Sequence, residues 1–242
     1  MIRIQGKTAT DIKIGTKTVI TVKDHFADKY LYWIPAAPTA TFNGVRIMRY
    51  NGEIISLPHW QADNIPVSEA VGVAIGDGDS STGHRFALFK YFMNNTPTEC
   101  QFTPTNTYLI PNMVTTTAYA TAIADFDGKA NTQAVLDAIS GGYITKSNVA
   151  TYCNARYSPW GERAYIPSAG QMKLLFDNAS FVNDIMTYIG GDLFDTSGSS
   201  IYWTSTQYNT SNVWTKENGS VGFNRNKVQS SSNFHCLIIY DY

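Results

Sequence analysis

The chain is short of charge. Asp, Glu, Lys and Arg make up 15% of its 242 residues, against roughly 25% in an average soluble domain. Eighteen basic and 19 acidic residues leave a formal net charge of −1. A nucleic-acid binder needs clustered Lys and Arg to displace counterions from phosphates, so no nucleic-acid partner is expected. Cysteine is scarce as well: Cys100, Cys153 and Cys236 are the whole complement. Three thiols cannot all pair, and none stands in a C-x-x-C or similar metal spacing, so all three are expected reduced and buried. Long apolar runs are missing too. None approaches the about 18 residues of a membrane span, so no membrane insertion is expected. The start, Met1-Ile-Arg-Ile-Gln-Gly6, lacks the apolar stretch of roughly 7–15 residues that marks a secretory signal, which points to synthesis in the cytoplasm.

Catalytic signatures are absent in the same way. Four histidines, His25, His59, His84 and His235, are dispersed. No H-E-x-x-H, G-x-S-x-G, Walker loop or G-x-G-x-x-G opening a helix occurs, and Gly76-x-Gly78 lacks a third glycine. The loop from Gly76 to Gly83 superficially resembles a calcium loop. Its twelfth position from Asp77 is Leu88, where an EF-hand needs a bidentate Glu, so a hairpin turn is the expectation. His235 and Cys236 are neighbours in a strand and face opposite ways, which rules them out as nucleophile and base. Spacing gives no support to a metal held by His84 and His235. No catalytic residue, cofactor or metal is therefore expected.

What is present is a core and an unusual amount of uncharged polarity. Apolar residues supply 43% of the chain, enough to exclude wholesale disorder. Twenty-six Thr, 18 Ser and 18 Asn replace the missing charge, and 15 Tyr and five Trp add amphipathic rings. Strand-forming alternation marks residues 12–14, 18–22, 30–34, 45–50 and 53–57, with Asn51-Gly52 as a hairpin signal between the last two. Residues 59–66 read as a connection, and a domain boundary is expected there: a β-rich region 1–65 and a second unit 66–242. Two further apolar strands at 70–75 and 85–92 read as a hairpin. Residues 96–117 form a long irregular excursion in which Phe102, Tyr108, Leu109 and Ile110 are expected to be buried. Helical spacing covers residues 132–139, 147–156 and 181–189, and Ser168-Ala-Gly-Gln171 is a capping box opening another helix. Strands return after residue 200. The order β, helices, β predicts an α+β class.

The C-terminal segment concentrates the polarity. Between Thr204 and Asn233, Asn, Ser and Thr fill 16 of 30 positions, and Trp203 and Trp214 stand in or beside it. Turn-rich hairpins explain Asn218-Gly219. They do not explain why Tyr and adaptable hydrogen-bonders crowd one end of the chain, whereas a recognition surface does: Tyr gives contact area at low entropic cost while Ser and Asn adapt their hydrogen bonds.

Specific motifs carry a family resemblance. Trp203-Thr-Ser-Thr-Gln-Tyr208, Asn212-Val-Trp214, Asn218-Gly-Ser220, Lys227 and a closing strand resemble the C-terminal part of C-type-lectin-fold proteins, in the branch related to formylglycine-generating enzymes. Asp127-Gly-Lys-Ala-Asn-Thr132, Thr151-Tyr-Cys-Asn-Ala155, Tyr165-Ile-Pro-Ser-Ala-Gly-Gln171 and the strands between Val71 and Phe92 fit the same pattern. The resemblance covers residues 66–242. It implies a C-type lectin-like fold of small twisted antiparallel sheets with two to four helices. Within that branch the residue mixture is similar to the variable proteins of diversity-generating retroelements, in which mutated template adenines scatter Asn codons into Tyr, Ser, Thr, Asp, His and Gly.

The resemblance implies framework roles for Trp203, Ser205, Thr206, Trp214, Gly219 and Lys227. It implies ligand contact by Tyr208, Asn209, Asn212, Thr215, Glu217, Ser220, Gly222, Asn224, Asn226, Asn233 and His235 within a variable segment 202–236. Trp203 and Trp214 are each open between core and ligand platform, and Lys227 between a framework ion pair and a solvated cation. The implied function is a diversified receptor-binding surface at the tip of a phage tail fibre, meeting a protein or glycan receptor on a bacterial cell, with a homo-oligomer such as a trimer as the assembly and the virion as the location. Residues 1–65 would serve attachment or oligomerisation, or form an ordinary small β domain. A bacterial surface adhesin and an enzyme related to formylglycine-generating enzymes are the alternatives. The chain departs from the enzymes in lacking a cysteine pair at the corresponding end. It departs from calcium-dependent lectins in lacking Glu-Pro-Asn, Gln-Pro-Asp and Trp-Asn-Asp.

Overall fold

A computed structural model describes residues 12–14, 17–19, 22–24, 31–33, 43–77, 84–93, 100–105, 107–217, 220–229 and 233–242. Two short hairpins come first. Strand β1 (Ile12–Ile14) pairs with β2 (Lys17–Val19), and β3 (Val22–Asp24) with β4 (Leu31–Trp33), all antiparallel. The expected turn in the loop from Gly76 to Gly83 and that at Asn218-Gly219 fall largely outside the described residues.

Strands β5 (Asn43–Arg49), β6 (Ile54–Ile55), β7 (Ala70–Asp77) and β8 (Arg85–Phe89), with β13 (Ile239–Tyr240) near the end of the chain, form an antiparallel sheet of order β13-β8-β7-β5-β6. Its strands are apolar on both faces, so both must be covered. Ile47, Val73, Ile75, Phe86 and Leu88 belong to one core, and Met48, Ala74 and Ala87 to the other. The turn between β5 and β6 is a three-residue loop. The Arg49 N–H donates to the Glu53 carbonyl at 2.9 Å, and Gly52 supplies the positive φ of 84° that closes such a loop.

Two expectations change here. Residues 57–62, read as strand end and connection, are helix α1 (Leu57–Ala62). Pro58 suits its first turn, where a missing N–H costs nothing, and Trp60 anchors it in the core. The boundary at residue 65 does not divide the sheet, because β5 lies before it and pairs along its length with β7, Val45 opposite Ile75 and Ile47 opposite Val73.

The helices follow as α2 (Tyr119–Ala122), α3 (Gly128–Ser140), α4 (Asn148–Asn154), α5 (Ala169–Asp177) and α6 (Ala179–Ile189). Ser147 caps α4 by accepting the Ala150 N–H at 3.3 Å. At the start of α5 the Gln171 side chain accepts the Ser168 N–H at 3.0 Å, the reciprocal arm of the expected capping box. The α6 residues Val182, Ile185, Met186 and Ile189 and the α5 residues Met172 and Leu175 cover the first face of the large sheet. Val135 of α3 and Val149 and Cys153 of α4 lie in the core on the second face.

A second sheet, order β11-β10-β9-β12, is built from β9 (Ile201–Gln207), β10 (Asn212–Glu217), β11 (Ser220–Asn226) and β12 (Phe234–His235). Its first three strands are antiparallel, and β12 runs parallel to β9. The class is α+β, with antiparallel sheets and, among the described residues, six helices where two to four were expected. The excursion 96–117 is irregular wherever it is described. Phe102 and Ile110 are buried, but Tyr108 and Leu109 stand half-exposed, because the interior uses the Tyr108 carbonyl and leaves the ring outside. No helix among the described residues is long and apolar enough to cross a membrane.

Candidate ligand-binding surface

The second sheet sits between the two cores. Tyr202 and Trp214 point into one, and Trp203 and Val213 into the other. Alternation along β9 and β10 therefore buries every residue from Tyr202 to Gln207 and from Val213 to Glu217. Buried polar side chains of this kind must find partners, and they do. The Trp203 indole donates to the Cys100 carbonyl at 2.6 Å, Ser205 to the Ile166 carbonyl at 3.0 Å, and Thr204 to the Trp214 carbonyl at 2.8 Å. Thr206 donates to the Asp125 carboxylate at 2.5 Å and accepts the Ala169 N–H at 2.8 Å. Burial raises the Asp125 carboxyl above its ordinary value, while its bonds from Thr206, the Asp127 N–H and Asn131 pull the other way.

Lys227 is not solvated, and among the described residues it has no carboxylate partner. It is buried in a cage of neutral oxygens, donating to the Tyr108 carbonyl at 3.0 Å, the Thr210 carbonyl at 2.8 Å and the Gln207 side chain. Burial lowers its ammonium to about 8. Lys216 is likewise buried, its Nζ 3.8 Å above the Phe176 ring, and burial lowers its pKa as well. These residues fix the strands beneath whatever the surface carries.

The candidate contact residues divide into three groups. Tyr208, Asn209, Asn212, Asn224 and Asn226 gather at the turn between β9 and β10 and the facing end of β11. Asn212 donates its amide to Asn224 at 2.6 Å, and the register sets Asn226 opposite Asn212. Asn209 is exposed and turns the chain by accepting the N–H groups of Ser211 and Asn212, each at 2.9 Å. Ser220, Asn233 and His235 belong to the other end of the sheet, Ser220 lying about 20 Å of strand from Asn226 at 3.3 Å per residue, and Gly222 lies between the two ends. Asn233 is exposed, and His235 is half-buried with its ring stacked on Tyr202 at 5.1 Å; burial lowers its pKa against the opposing pull of Asp195 and Asp192.

Trp214, Thr215 and Glu217 form the third group, and as ligand contacts they are corrected. All three are buried, at 3%, 0% and 3% exposure. Thr215 donates to Glu217, and the Glu217 carboxylate is gripped by Arg225, whose Nε lies 3.0 Å from Oε1. Strand β10 is internal to the sheet, and from Val213 to Glu217 it is buried on both faces. Gly222 also leaves the exchangeable set: its φ of 154° favours glycine over residues with a Cβ.

One contributor escapes the sequence pattern. Tyr119 of α2, 43% exposed, lies 6.2 Å from the Trp214 ring, and Tyr208 meets the same ring edge-on at 5.1 Å. The Trp214 indole N–H donates to the Thr116 carbonyl at 2.8 Å, which holds the excursion against the sheet. The exposed Tyr119 and the half-buried Tyr208 thus flank a buried Trp beside the Asn212–Asn224 amide pair. No local signal near Tyr119 announces this, because the contact spans the length of the helical region.

The cysteines are free and fully buried. Cys236, alone on its strand in the sequence, has Cys153 for a neighbour in space, and that hydrogen bond together with burial holds its thiol well above the ordinary range. Burial likewise pushes Cys100 up to about 12. Among the described residues no group of three or more His, Cys, Asp or Glu is placed to hold a metal ion.

Comparison with known proteins returned no matching family model and no curated relative. The fold is similar to that of a fimbrial protein from Bacteroides ovatus ATCC 8483, seen in a crystal structure, with a TM-score of 0.59 and 13% identity. The likeness covers 81% of this chain and 48% of the other, so this chain spans about half the length of that protein. At that identity the similarity concerns fold alone.

Proposed function

We propose that the chain is a ligand-binding protein that displays an exchangeable surface on a C-type lectin fold, as the receptor-binding tip of a phage tail fibre. The observation that carries the proposal is the pairing of a buried polar frame with an accessible Tyr/Asn patch. Thr206, Trp203 and Lys227 lock the sheet from inside, while Tyr119, Tyr208, Asn212 and Asn224 stand above Trp214. A frame that does not depend on the outer side chains lets them change without unfolding the domain. The ligand is a protein or glycan of a bacterial cell surface, and several copies on one fibre would add avidity. The chain acts as a binder and not as an enzyme. Its thiols are all buried, and burial raises those of Cys100 and Cys236, whereas a reactive cysteine needs an accessible thiolate.

Binding of the whole chain to bacterial cells, with Tyr119, Tyr208, Asn212 and Asn224 changed together to Ala, tests the surface. Loss of binding with an unchanged melting temperature is expected, and undiminished binding would show the surface to be misassigned. The diversification claim has a separate test in the genome. A neighbouring reverse-transcriptase gene and a near-copy of the coding segment for 202–236 that differs only at adenines are expected. Without them the binding reading stands and diversification falls. Turnover of a thiol-containing peptide would overturn the non-enzyme reading.

A second reading is a bacterial surface adhesin. The likeness of fold to a fimbrial protein favours it. Surface display on a bacterial cell, as opposed to incorporation in virions, decides between the two and is read by immunolabelling.

A further inference from the structure

A cleft of about 520 Å³ lies away from the Tyr/Asn patch, between β8, α3 and the chain end, within the roughly 300–1,000 Å³ of small-molecule sites. Its construction is layered. The floor holds the buried Tyr165 hydroxyl, which donates to Asp241 at 2.6 Å and accepts from Gln171 at 3.3 Å. One wall is aromatic: the His84 and Phe126 rings stack at 3.5 Å and within 1° of parallel. Leu136 and Ala130 of α3 add apolar surface to the lining.

The rim carries charges of both signs, and what bears on the occupant is which of them keep hydrogen-bonding capacity to spare. Arg85, Lys129 and Arg163 line the cleft against two carboxylates, Asp127 and Asp241. Asp241 is already engaged by Tyr165 and by Lys129, at 2.6 Å and 2.8 Å, and Lys129 also holds Glu162 at 2.8 Å. Lys129 is thereby kept charged, its pKa raised by these carboxylates against the opposing effect of burial. Arg163 directs Nε to the Tyr157 hydroxyl at 3.0 Å and Nη1 to Asn154 at 2.6 Å. Its guanidinium has five donors, so N–H groups remain to be presented to a ligand.

A stacked aromatic pair with a guanidinium at the rim matches a ring carrying an anionic group. We infer that this cleft binds a small aromatic carboxylate, the ring lying against His84 and Phe126 and the carboxylate meeting Arg163. The cleft lining includes none of Tyr119, Tyr208, Asn212 and Asn224.

Titration of the whole chain with 2-naphthoate, followed by saturation-transfer NMR, tests the inference. Saturable binding is expected, with 2-naphthamide, the neutral analogue of the same shape, binding about tenfold more weakly. Arg163→Ala is expected to weaken 2-naphthoate about tenfold and to leave 2-naphthamide unchanged. Ala130→Trp, at an exposed position of α3, fills the cleft and is expected to abolish binding of both. Equal affinity for the two probes would overturn the anionic assignment. Binding that survives Ala130→Trp, or no saturable binding at millimolar concentration, would overturn the site.

Discussion

Lys227 donates to the Thr210 carbonyl at 2.8 Å, so a buried ammonium holds the turn on which the half-buried Tyr208 and the exposed Asn209 stand. Such a charge among neutral oxygens makes stability respond to pH. The folded lysine releases its proton near 8, whereas an unfolded lysine keeps it to about 10.4. Between those values the unfolded chain binds the extra proton, so this lysine's contribution to stability rises with pH. Relative to Lys227→Met, the wild-type chain should gain about 1–2 kcal/mol in denaturant unfolding between roughly pH 8 and 9.5, while in both proteins Cys100 and Cys236, which ionise in that range only when unfolded, pull stability the other way. Lys227→Met should remove the part of the rise that begins near pH 8 and cost about 1–3 kcal/mol at pH 7, because three oxygens lose their donor. An identical pH profile in the variant would contradict this account.

Thr206 couples β9 to the turn before α3 through Asp125. Thr206→Val keeps the shape and strips the hydroxyl from both Asp125 and the Ala169 N–H. A loss of about 1–3 kcal/mol is expected for buried partners left unsatisfied. In a double-mutant cycle with Asp125→Ala the two changes should be clearly non-additive, and simple additivity would mean that the bond contributes nothing.

Strands β10 and β11 should tolerate substitution very differently. Asn224→Tyr, on the edge strand, should cost under about 1 kcal/mol, the size of one partly exposed hydrogen bond. Trp214→Ala should cost about 3–5 kcal/mol through the cavity it leaves. Thermal melts of single-position libraries at 214, 215, 217 and 224 would rank the four, and a tolerant position 215 would refute the burial argument.

Arg225 is the partner of a carboxylate that is 3% exposed. Arg225→Ala leaves Glu217 buried with only Thr215. The expected loss is about 1–3 kcal/mol, below the 3–5 of a fully buried pair because the arginine is partly solvated. The double change Arg225→Leu with Glu217→Leu should recover most of it, as measured by urea unfolding.

Ellman's reagent should find no reactive thiol in the native protein and all three in guanidinium, since Cys100, Cys153 and Cys236 are free and buried. Rapid native reaction at any of them would show a core more open than described.

Local rules made much of this fold legible. The Ser168 and Gln171 capping pair, the helical spacing around Val149 and Cys153, and the hairpin of β7 and β8 each depend on residues a few positions apart or on one turn. Ser205, Thr206 and Trp203 were legible as framework through resemblance. The reading failed where burial depends on strand order. Thr215 and Glu217 look like surface residues by composition, and only the position of β10 inside the sheet encloses them.

What the sequence by itself determined is the element content, the low charge and the concentration of Asn and Ser near the C-terminus, because periodicity and composition act over a few residues. Tertiary structure alone decided which polar side chains face water. It joined β5 to β7 across the expected boundary, enclosed Lys227 among the Tyr108, Gln207 and Thr210 oxygens, and brought Tyr119 to Trp214 beside Tyr208. The physical reason is the same in each case: burial is a property of what lies opposite in space, and strand pairing brings together segments that no local window contains.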